Sequence, residues 1–87
     1  MAAVRKLSDR YSEADIDDEI VLMRLDNGEL LSLADTGAAI WRLIDGQRDR
    51  LALAAELASE YDVEAEKISR DLDELIGQLK EAGLVAE

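Results

Sequence analysis

The residues best equipped for chemistry are four neighbouring carboxylates, Asp15, Asp17, Asp18 and Glu19. Carboxylate oxygens are the ligands that hard cations such as Ca²⁺ prefer in proteins. This run lacks the D-x-[DN]-x-[DN]-G spacing and the distant Glu that complete a calcium-binding loop. The sequence therefore predicts a solvated turn at this point and no metal site.

Side chains that catalyse reactions lack their usual partners in this chain. It contains no His, so its serines have no imidazole to activate them, and no Cys, so no disulfide framework is possible. Paired carboxylates would need a cleft that shifts their pKa values, and 87 residues form only one modest core. No glycine-rich phosphate loop is present. We therefore expect a protein that is not an enzyme and that uses no cofactor.

The net charge of −11 limits the partners that the surface can attract. Residues 1–10 are net basic, whereas residues 11–35 and 62–82 have a large excess of acids. Such a surface repels the phosphates that proteins bind through Lys and Arg, so we expect no nucleic-acid partner. Two interpretations of the acidic faces stay open: they keep a small protein soluble, or they steer a basic peptide towards it.

Nothing in the sequence predicts an association with membranes. No apolar run approaches the roughly 18 residues needed to span a bilayer, and the N-terminus lacks the apolar core of a signal peptide. We therefore expect a cytoplasmic protein with no membrane partner.

The elements that must position any site begin with a β-hairpin. Alternating apolar residues predict strands over residues 19–25 and 29–33, and a weaker signal predicts a first strand over residues 11–16. Asn27-Gly28 suits a type I′ turn, whose central positions both need positive φ. Both faces of the hairpin are partly apolar. We expect helices on one face and another cover on the other, for which Tyr11 and the first strand are candidates.

Helical patterns occupy the remainder of the chain. The first helix is predicted over residues 36–44, with Asp35 or Thr36 as its cap and Gly46 at its end. The second follows the N-cap residue Asp49, and the third covers residues 64–82 and is closed by Gly83. After the third helix, Leu84-Val85 can pack back on the core as an extended tail.

The apolar spacing of each helix predicts its buried face. Trp41, the only Trp, is expected to anchor the first helix to the sheet, with contact to a peptide as the alternative. The predicted inward residues are Ile40, Leu43 and Ile44 in the first helix, Leu51, Ala54, Leu57, Ala58 and Tyr61 in the second, and Ile68, Leu72, Leu75, Ile76 and Leu79 in the third.

These elements predict an α+β fold, winged-helix-like, in which a three-stranded antiparallel sheet is followed by three helices. We expect this domain over residues 11–87 and a flexible N-terminal arm over residues 1–10. The layout suggests DNA binding, but the third helix would present acids to the major groove, which argues against that function. The hairpin instead leaves a strand edge beside a helical surface, and an extended peptide can pair with such an edge.

Three segments in order resemble one known family. They are G-E-L-L-S-L-A-D-T-G-A-A-I-W-R-L-I-D-G (28–46), E-Y-D-V (60–63) and R-D-L-D-E-L-I-G-Q-L-K-E-A-G-L-V (70–85). Together they resemble the PqqD-like family, the recognition elements for precursors of ribosomally synthesised, post-translationally modified peptides. The resemblance covers residues 11–86. It implies a three-stranded sheet with three helices, no catalytic activity, and binding of the leader segment of a precursor peptide.

In that family the leader adds as a strand to the edge of the third strand and lies against the third helix. Carried over by position, the resemblance implies that Leu30 and Ser32 frame the peptide and that Arg70, Asp71 and Glu74 read its polar or basic groups. The full set of implied peptide-binding residues is Glu29, Leu30, Leu31, Ser32 and Leu33 on the strand, and Lys67, Arg70, Asp71, Glu74, Leu75 and Gln78 on the helix.

Subgroups of the family differ in the partner they serve. PqqD proteins of pyrroloquinoline quinone (PQQ) biosynthesis typically have a Pro-Glu pair before the first helix, where this chain has Leu30-Leu31 and no Pro at all. The run A-D-T-G-A-A-I-W-R-L (34–43) is more similar to the discrete recognition proteins of lasso peptide clusters, which present the precursor to a leader peptidase. The lasso type is therefore preferred.

Two alternatives to the lasso type stay open. One is a PqqD-type chaperone for pyrroloquinoline quinone or another radical-SAM-modified peptide. The other is a structural dimerisation domain or a winged-helix regulatory domain, because a free strand edge can also pair with a second copy and form a homodimer.

Overall fold

The computed structural model describes residues 2–87, and within them a three-stranded antiparallel sheet is followed by three α-helices. This confirms the α+β, winged-helix-like fold class that the sequence predicts. The elements in chain order are β1 (Arg5–Lys6), a 3₁₀ turn (Ser8–Arg10), β2 (Tyr11–Ile16), β3 (Glu19–Arg24), β4 (Leu30–Leu33), α1 (Asp35–Leu43), α2 (Arg50–Glu60), α3 (Ala65–Glu81) and β5 (Val85–Ala86).

The sheet pairs its strands in chain order, so β3 is central and β4 lies at one edge. The register places Ile20 opposite Leu33 and Leu22 opposite Leu31. Directly opposite residues of an antiparallel pair lie on the same face of the sheet. These four residues therefore form the inner face, and Ile20, Leu22 and Leu33 are buried against the helices.

The turn between β3 and β4 differs from the predicted type I′ turn. Asn27 does not have positive φ, and only Gly28 of the pair does, with φ of 75°. The loop spans residues 25–28 because Arg24 pairs with Glu29, its N–H lying 2.8 Å from the Glu29 carbonyl oxygen. The Asn27 side chain instead accepts a hydrogen bond from the Glu29 N–H. The prediction at Asn27-Gly28 was wrong because this side-chain bond and a longer loop replace the two-residue turn.

A turn with two positive φ angles does occur, within the carboxylate-rich run between β2 and β3. Asp17 and Asp18 have φ of 49° and 25° and connect Ile16 directly to its partner Glu19. Asp is one of the few non-glycine residues that adopt this conformation readily. The predicted solvated turn is confirmed, and no group of side chains within residues 2–87 is placed to hold a metal ion.

The described part of the N-terminal segment, residues 2–10, contacts the domain at several points, and Met1 of the flexible arm expected over residues 1–10 lies outside the described residues. Val4 is fully buried in the core, and its N–H donates to the Arg48 carbonyl oxygen at 2.9 Å. β1 pairs with β5 in antiparallel register, and the Leu7 N–H donates to the Leu84 carbonyl oxygen. The sequence did not indicate this docking because its partners lie more than forty residues away along the chain.

The helix α1 begins and ends differently from the prediction. No side chain of Asp35 or Thr36 caps it; its N-cap is Ala34, whose carbonyl oxygen accepts from the Gly37 N–H. Gly46, with φ of 79°, lies beyond the helix end and donates its N–H to the Val4 carbonyl oxygen. This glycine therefore turns the chain towards the N-terminal segment and does not end α1.

The helix α2 has the predicted cap and only part of the predicted buried face: Leu57 is buried and Ala54 is half-buried, as predicted. Asp49 is its N-cap, and its side chain accepts from the Ala52 N–H at 2.9 Å. Leu53 and Leu57 are buried, whereas Leu51, predicted to be inward, is 69% exposed. The predicted inward residues Ala58 and Tyr61 are exposed as well.

The long helix α3 agrees with its prediction. Ile68, Leu72, Ile76 and Leu79 are buried in one stripe, and Leu75 is half-buried beside them. The tail after α3 also packs as expected, because Leu84 and Val85 are buried.

Trp41 anchors α1 to the sheet, as predicted. Its side chain is fully buried, and its Nε1–H donates to Glu13 Oε1 on β2 at 3.0 Å. The Tyr11 ring meets the indole edge-to-face at 5.3 Å between centroids. Tyr11 thus lies on the inner face and does not cover the outer face of the sheet, contrary to one expectation.

The outer face of the sheet stays open to solvent. Met23 and Leu30 on this face are 38% and 65% exposed, and no element within residues 2–87 packs over them. No helix in this part of the chain is long and apolar enough to cross a membrane.

Candidate functional site

The free edge of β4 presents unpaired backbone groups. The Arg24 N–H donates to the Glu29 carbonyl oxygen, so Arg24 and Glu29 stand at a hydrogen-bonded position, and such positions alternate along an antiparallel ladder. Leu31 and Leu33 therefore bond to β3, while the N–H and C=O groups of Leu30 and Ser32 point away from it. In the described chain β4 has β3 as its only neighbour in the sheet. An added strand would find donors and acceptors at these two residues.

An open cavity of about 310 Å³ lies between this edge and α3. The β4 side contributes an acid and an apolar side chain, and α3 contributes residues of its last turns. The lining residues are Arg24, Glu29, Leu31, Gln78, Glu81 and Ala82.

A smaller cavity of about 40 Å³ lies at the other end of α3. It is formed where the start of α1, the end of α2 and the first turns of α3 meet. Its lining residues are Thr36, Leu57, Tyr61, Val63, Lys67, Ile68 and Asp71.

One flank of α3 connects the two cavities. Lys67, Asp71, Leu75, Gln78 and Ala82 follow one another at intervals of three or four residues, so they lie along the same side of the helix. This side adjoins the buried stripe of α3. The two cavities therefore lie along one side of α3 that spans about four turns, or about 22 Å at the usual helical pitch. This side of α3 together with the two cavities is called the groove.

The first turn of α1 lies between the two cavities, close to β4 and α3. A Cβ atom placed on Gly37 would lie 4.0 Å from side-chain carbons of both Leu33 and Leu75. Strand β4, the first turn of α1 and α3 thus converge around Leu75, which gives the groove an apolar centre.

Arg24 contributes little free positive charge to the larger cavity. Its guanidinium makes a forked contact with Asp26, with Nε–Oδ1 and Nη2–Oδ2 distances of 3.1 and 2.8 Å, and lies 4.0 Å from Glu29. The hydrogen bond from Arg24 holds the pKa of Asp26 below its ordinary value. With Arg24 engaged in this way, Glu29 and Glu81 make the cavity acidic.

At the other end of the groove an intrahelical ion pair is present. Lys67 Nζ lies 4.0 Å from Asp71 Oδ2, one turn further along α3. Both side chains are partly exposed, so the pair is weak and can be exchanged for contacts with a ligand.

The structure brings together only part of the predicted residue set. Glu29, Leu31 and Gln78 meet around the larger cavity, Lys67 and Asp71 meet around the smaller one, and Leu75 lies between them.

The other predicted residues lie around the groove. Leu30 and Ser32 are exposed on β4, and the Ser32 Oγ donates to Glu19 Oε2 at 3.4 Å. Leu33, the last residue of β4, is buried on the inner face of the sheet. Arg70 and Glu74 are exposed on α3 and line neither cavity.

The sequence analysis missed Arg24, Glu81 and Ala82 in the larger cavity. Ala82 continues the helical spacing of Gln78, so extending that row by one turn would have found it. Arg24 could be found only from the hairpin register, because it lies opposite Glu29 across the turn.

Comparison with known families and structures gives consistent matches. The family model described as coenzyme PQQ synthesis protein D (PqqD) matches residues 19–85. A solved structure described as "TbiB1 in Complex with the TbiA(beta) Leader Peptide" is 31% identical, covers 92% of this chain and 93% of its own, and has a TM-score of 0.80. A second, "Lasso peptide synthetase B1 complexed with the leader peptide", is 32% identical, covers 99% of this chain and 100% of its own, and has a TM-score of 0.83. No curated protein sequence matches.

Proposed function

The chain belongs to the PqqD family, and we propose that it binds the leader segment of a ribosomally synthesised precursor peptide without catalysing a reaction on it. The observation that supports this most directly is its similarity, over more than nine-tenths of both chains, to two proteins whose structures are described as complexes with leader peptides. The open edge of β4 beside the α3 groove provides a place for such a peptide.

The leader pairs with β4 as an additional strand. The outward N–H and C=O groups of Leu30 and Ser32 can form up to four main-chain hydrogen bonds, each contributing about 0.5–1.5 kcal/mol net. Alternate side chains of the peptide then point into the groove, where Leu31 and Leu75 form an apolar floor. These pockets determine which peptide is bound, because the main-chain bonds are independent of sequence.

Charge in the groove favours a leader with basic or polar side chains. Glu29 and Glu81 lie at one end, and Asp71 lies at the other with Arg70 and Glu74 exposed nearby. The excess of carboxylates also speeds the approach of a positively charged peptide over long range.

We assign this protein to the lasso type and propose that it delivers the bound precursor to a leader peptidase. The lasso type is supported by the solved structure described as a lasso peptide synthetase B1, whereas the description of the other structure supports leader binding alone. The description of the family model favours a second candidate, a chaperone in pyrroloquinoline quinone biosynthesis.

The first experiment is an NMR titration of ¹⁵N-labelled protein with the leader half of the precursor peptide encoded beside it. We expect saturable shifts at residues 29–33 and along Lys67, Asp71, Leu75 and Gln78. Trp41 is a poor reporter because it is fully buried against β2, away from the groove. A folded protein without saturable shifts would refute the proposed function.

A second experiment tests the charged wall of the groove. The double change Asp71→Asn and Glu74→Gln removes one carboxylate that lines the smaller cavity and a second that is exposed one turn further along α3. We expect it to weaken binding of a basic leader by about fivefold at low salt. The matched control, Glu56→Gln with Glu60→Gln on α2, removes the same charge elsewhere and leaves the affinity unchanged. Equal affinities of the two double variants would remove Asp71 and Glu74 from the binding site.

The alternative of a dimerisation domain makes a different prediction for the same edge. If β4 pairs with a second copy, sedimentation shows a dimer that the leader peptide does not dissociate. Under leader recognition the peptide occupies the edge, so any dimer formed through β4 dissociates as the peptide saturates.

A further inference from the structure

The sheet has a second free edge, which lies along β2 on the side opposite β4. Just before the first residue of β2, the Arg10 carbonyl oxygen accepts from the Leu25 N–H at 3.0 Å, so Arg10 stands at a hydrogen-bonded position of the β2–β3 pair. Such positions alternate along an antiparallel ladder, so the even-numbered residues of β2 bond to β3. The odd-numbered residues Tyr11, Glu13 and Asp15 therefore direct their N–H and C=O groups away from the sheet.

Nothing in the described chain pairs with this edge. Within residues 2–87, β3 is the only strand beside β2, and no backbone hydrogen bond outside that pair involves Tyr11, Glu13 or Asp15. Three residues offer free main-chain groups on β2, whereas Leu30 and Ser32 offer them on β4. Unpaired groups along an edge strand are a template for an extended segment of another polypeptide.

The side chains beside this edge are acidic. Glu13 and Asp15 lie on the inner face of the sheet, and the turn after β2 adds Asp17 and Asp18. No Lys or Arg occurs between Tyr11 and Asp18. Charged side chains directed inward protect an edge strand from indiscriminate pairing. Here they exclude acidic strands and leave the edge open to a strand with positive side chains at the facing positions.

Two cations from other elements reach these acids without neutralising all of them. Arg42 in the last turn of α1 lies 3.5 Å from Asp15, and both side chains are well exposed, so this surface pair is weak. The Lys6 ammonium lies over the Trp41 ring, whose Nε1–H donates to Glu13. Two cations stand against four acids, so the edge stays negative.

A second copy of this chain fits this edge poorly. If two β2 strands pair antiparallel through all three free residues, the two Glu13 side chains lie directly opposite each other. Like charges in that position destabilise a strand pair. Each copy also carries a net charge of −11, so the two chains repel each other at longer range. The occupant is therefore a segment of another protein.

We propose that the free edge of β2 binds an extended segment of a partner protein that carries Lys or Arg at every second residue. The segment forms main-chain hydrogen bonds with Tyr11, Glu13 and Asp15, and its basic side chains lie beside the two acids on the inner face. This inference does not rest on the proposed function, because β2 and β4 are opposite edges of the sheet. Strands added to both edges lie about 19 Å apart, so neither excludes the other.

The test is an NMR titration of the full-length ¹⁵N-labelled protein with a capped synthetic peptide, (Lys-Val)₃, and with (Glu-Val)₃ as the matched control. With the basic peptide we expect saturable shifts and slower amide hydrogen exchange at Tyr11, Glu13 and Asp15. The acidic peptide should bind at least about tenfold more weakly at low salt, and the difference should shrink as salt is added.

Two variants of one residue separate the charge from the main chain. Asp15→Ala removes a carboxylate, and we expect (Lys-Val)₃ to bind about threefold more weakly at low salt. Asp15→Pro also removes the free N–H, at an edge position where proline is tolerated, and should bind about fivefold more weakly than Asp15→Ala. Ser12→Ala is the control, since the Ser12 side chain points to the outer face and its main chain bonds to β3. If the Pro variant does not fold, Asp15→Ala and the two peptides decide.

Three results would overturn the inference. Shifts confined to residues 29–33 and α3 would place the basic peptide on β4 and leave β2 without a ligand. Equal affinities for the two peptides would show that the acids select nothing. A dimer in sedimentation without peptide, with the amides of Tyr11, Glu13 and Asp15 already protected from exchange, would show that a second copy covers the edge.

Discussion

At the scale of single residues, Trp41 shows how one side chain joins two layers. Its indole is fully buried, donates to Glu13 on β2, and meets the ring of Tyr11. The ammonium of Lys6 lies 4.4 Å from the ring centroid, and burial lowers the pKa of this lysine. The N-terminal segment, the sheet and α1 therefore all depend on one aromatic residue.

Trp41→Phe should destabilise the fold. The change removes the hydrogen bond to Glu13 and part of the buried volume, so we expect the free energy of unfolding to fall by about 2 kcal/mol. Urea unfolding followed by far-UV circular dichroism measures this, because the variant has no Trp fluorescence. Glu13→Gln keeps an acceptor for the indole N–H and should lose about 1 kcal/mol or less. Equal stability of Trp41→Phe and wild type would show that the indole is not the anchor.

Two glycines should respond in opposite ways to the same change. Gly37 lies in α1, and a Cβ there would make ordinary contacts at 4.0 Å, so Gly37→Ala should stabilise the protein by about 0.5 kcal/mol. Gly28 has φ of 75°, so Gly28→Ala should destabilise it by about 1 kcal/mol despite open space around the site. Thermal unfolding of both variants measures the difference. Destabilisation by Gly37→Ala would show that the groove between Leu33 and Leu75 is tighter than described.

At the scale of elements, alternate residues of β4 have different roles: one set bonds to β3, and the other leaves its backbone groups free for a leader peptide. Leu31 and Leu33 bond to β3 and pack inward, while Leu30 and Ser32 direct their backbone groups outward. The strand can therefore accept a peptide without losing any bond to the sheet.

Ser32→Pro should separate peptide binding from folding. Proline removes the Ser32 N–H, which points to the free edge, and proline is tolerated at edge positions of this kind. We expect a folded protein whose leader affinity falls by about tenfold, measured by calorimetric titration. Ser32→Ala is the control, since it loses only the 3.4 Å contact with Glu19 and keeps the N–H. Equal leader affinities of the two variants would exclude strand addition at β4.

At the scale of the whole molecule, a cluster of ion pairs ties the end of the chain to two helices. Arg50 at the start of α2 contacts Glu87 through Nε–Oε2 at 2.7 Å and Nη2–Oε1 at 2.6 Å, and its Nη1 lies 3.0 Å from Asp73 Oδ1. Lys80 Nζ lies 3.2 Å from Glu87 Oε1. Hydrogen bonds from Arg50 and then from Lys80 lower the pKa of Glu87 to about 2.

This cluster predicts a specific dependence of stability on pH. The folded pKa of Glu87 lies below the ordinary value of 4.5, so the unfolded chain takes up the proton first as the pH falls. The stabilisation is complete above pH 4.5 and is lost between pH 4.5 and 2. Glu87→Gln should therefore lower the free energy of unfolding by about 1 kcal/mol or less at pH 7, the range of surface ion pairs, and the difference should vanish near pH 2. Chemical unfolding between pH 2 and pH 7 measures the difference in free energy of unfolding between wild type and Glu87→Gln, with Glu66→Gln as the control. If that difference is the same at every pH, the ion pairs of Glu87 do not contribute to stability.

The sequence predicted α3 within one residue at each end because its apolar repeat is long and regular. It was less successful for α2, where the run L-A-L-A-A-E-L contains two overlapping helical stripes. The predicted stripe includes Leu51 and Leu57, and the other includes Leu53 and Leu57, which are the two buried residues. Packing against α3 decides between them, and no local pattern records that choice.

Of the residues that the family resemblance implies for the candidate site, Glu29, Leu31 and Gln78 line the larger cavity and Lys67 and Asp71 line the smaller one, while peptide binding by any of them stays a prediction. The sequence analysis missed Arg24, Glu81 and Ala82 of the larger cavity. Arg24 lines this cavity because the hairpin register places it opposite Glu29.

The sequence by itself determined the elements, the α+β order and the acidic character of this protein, because propensity, short-range periodicity and charge are local properties. Only the tertiary structure decided which groups meet across the groove, that Val4 enters the core, and that no element within residues 2–87 covers the outer face of the sheet. Those features arise from contacts between distant segments, whose geometry depends on the packing of the whole chain.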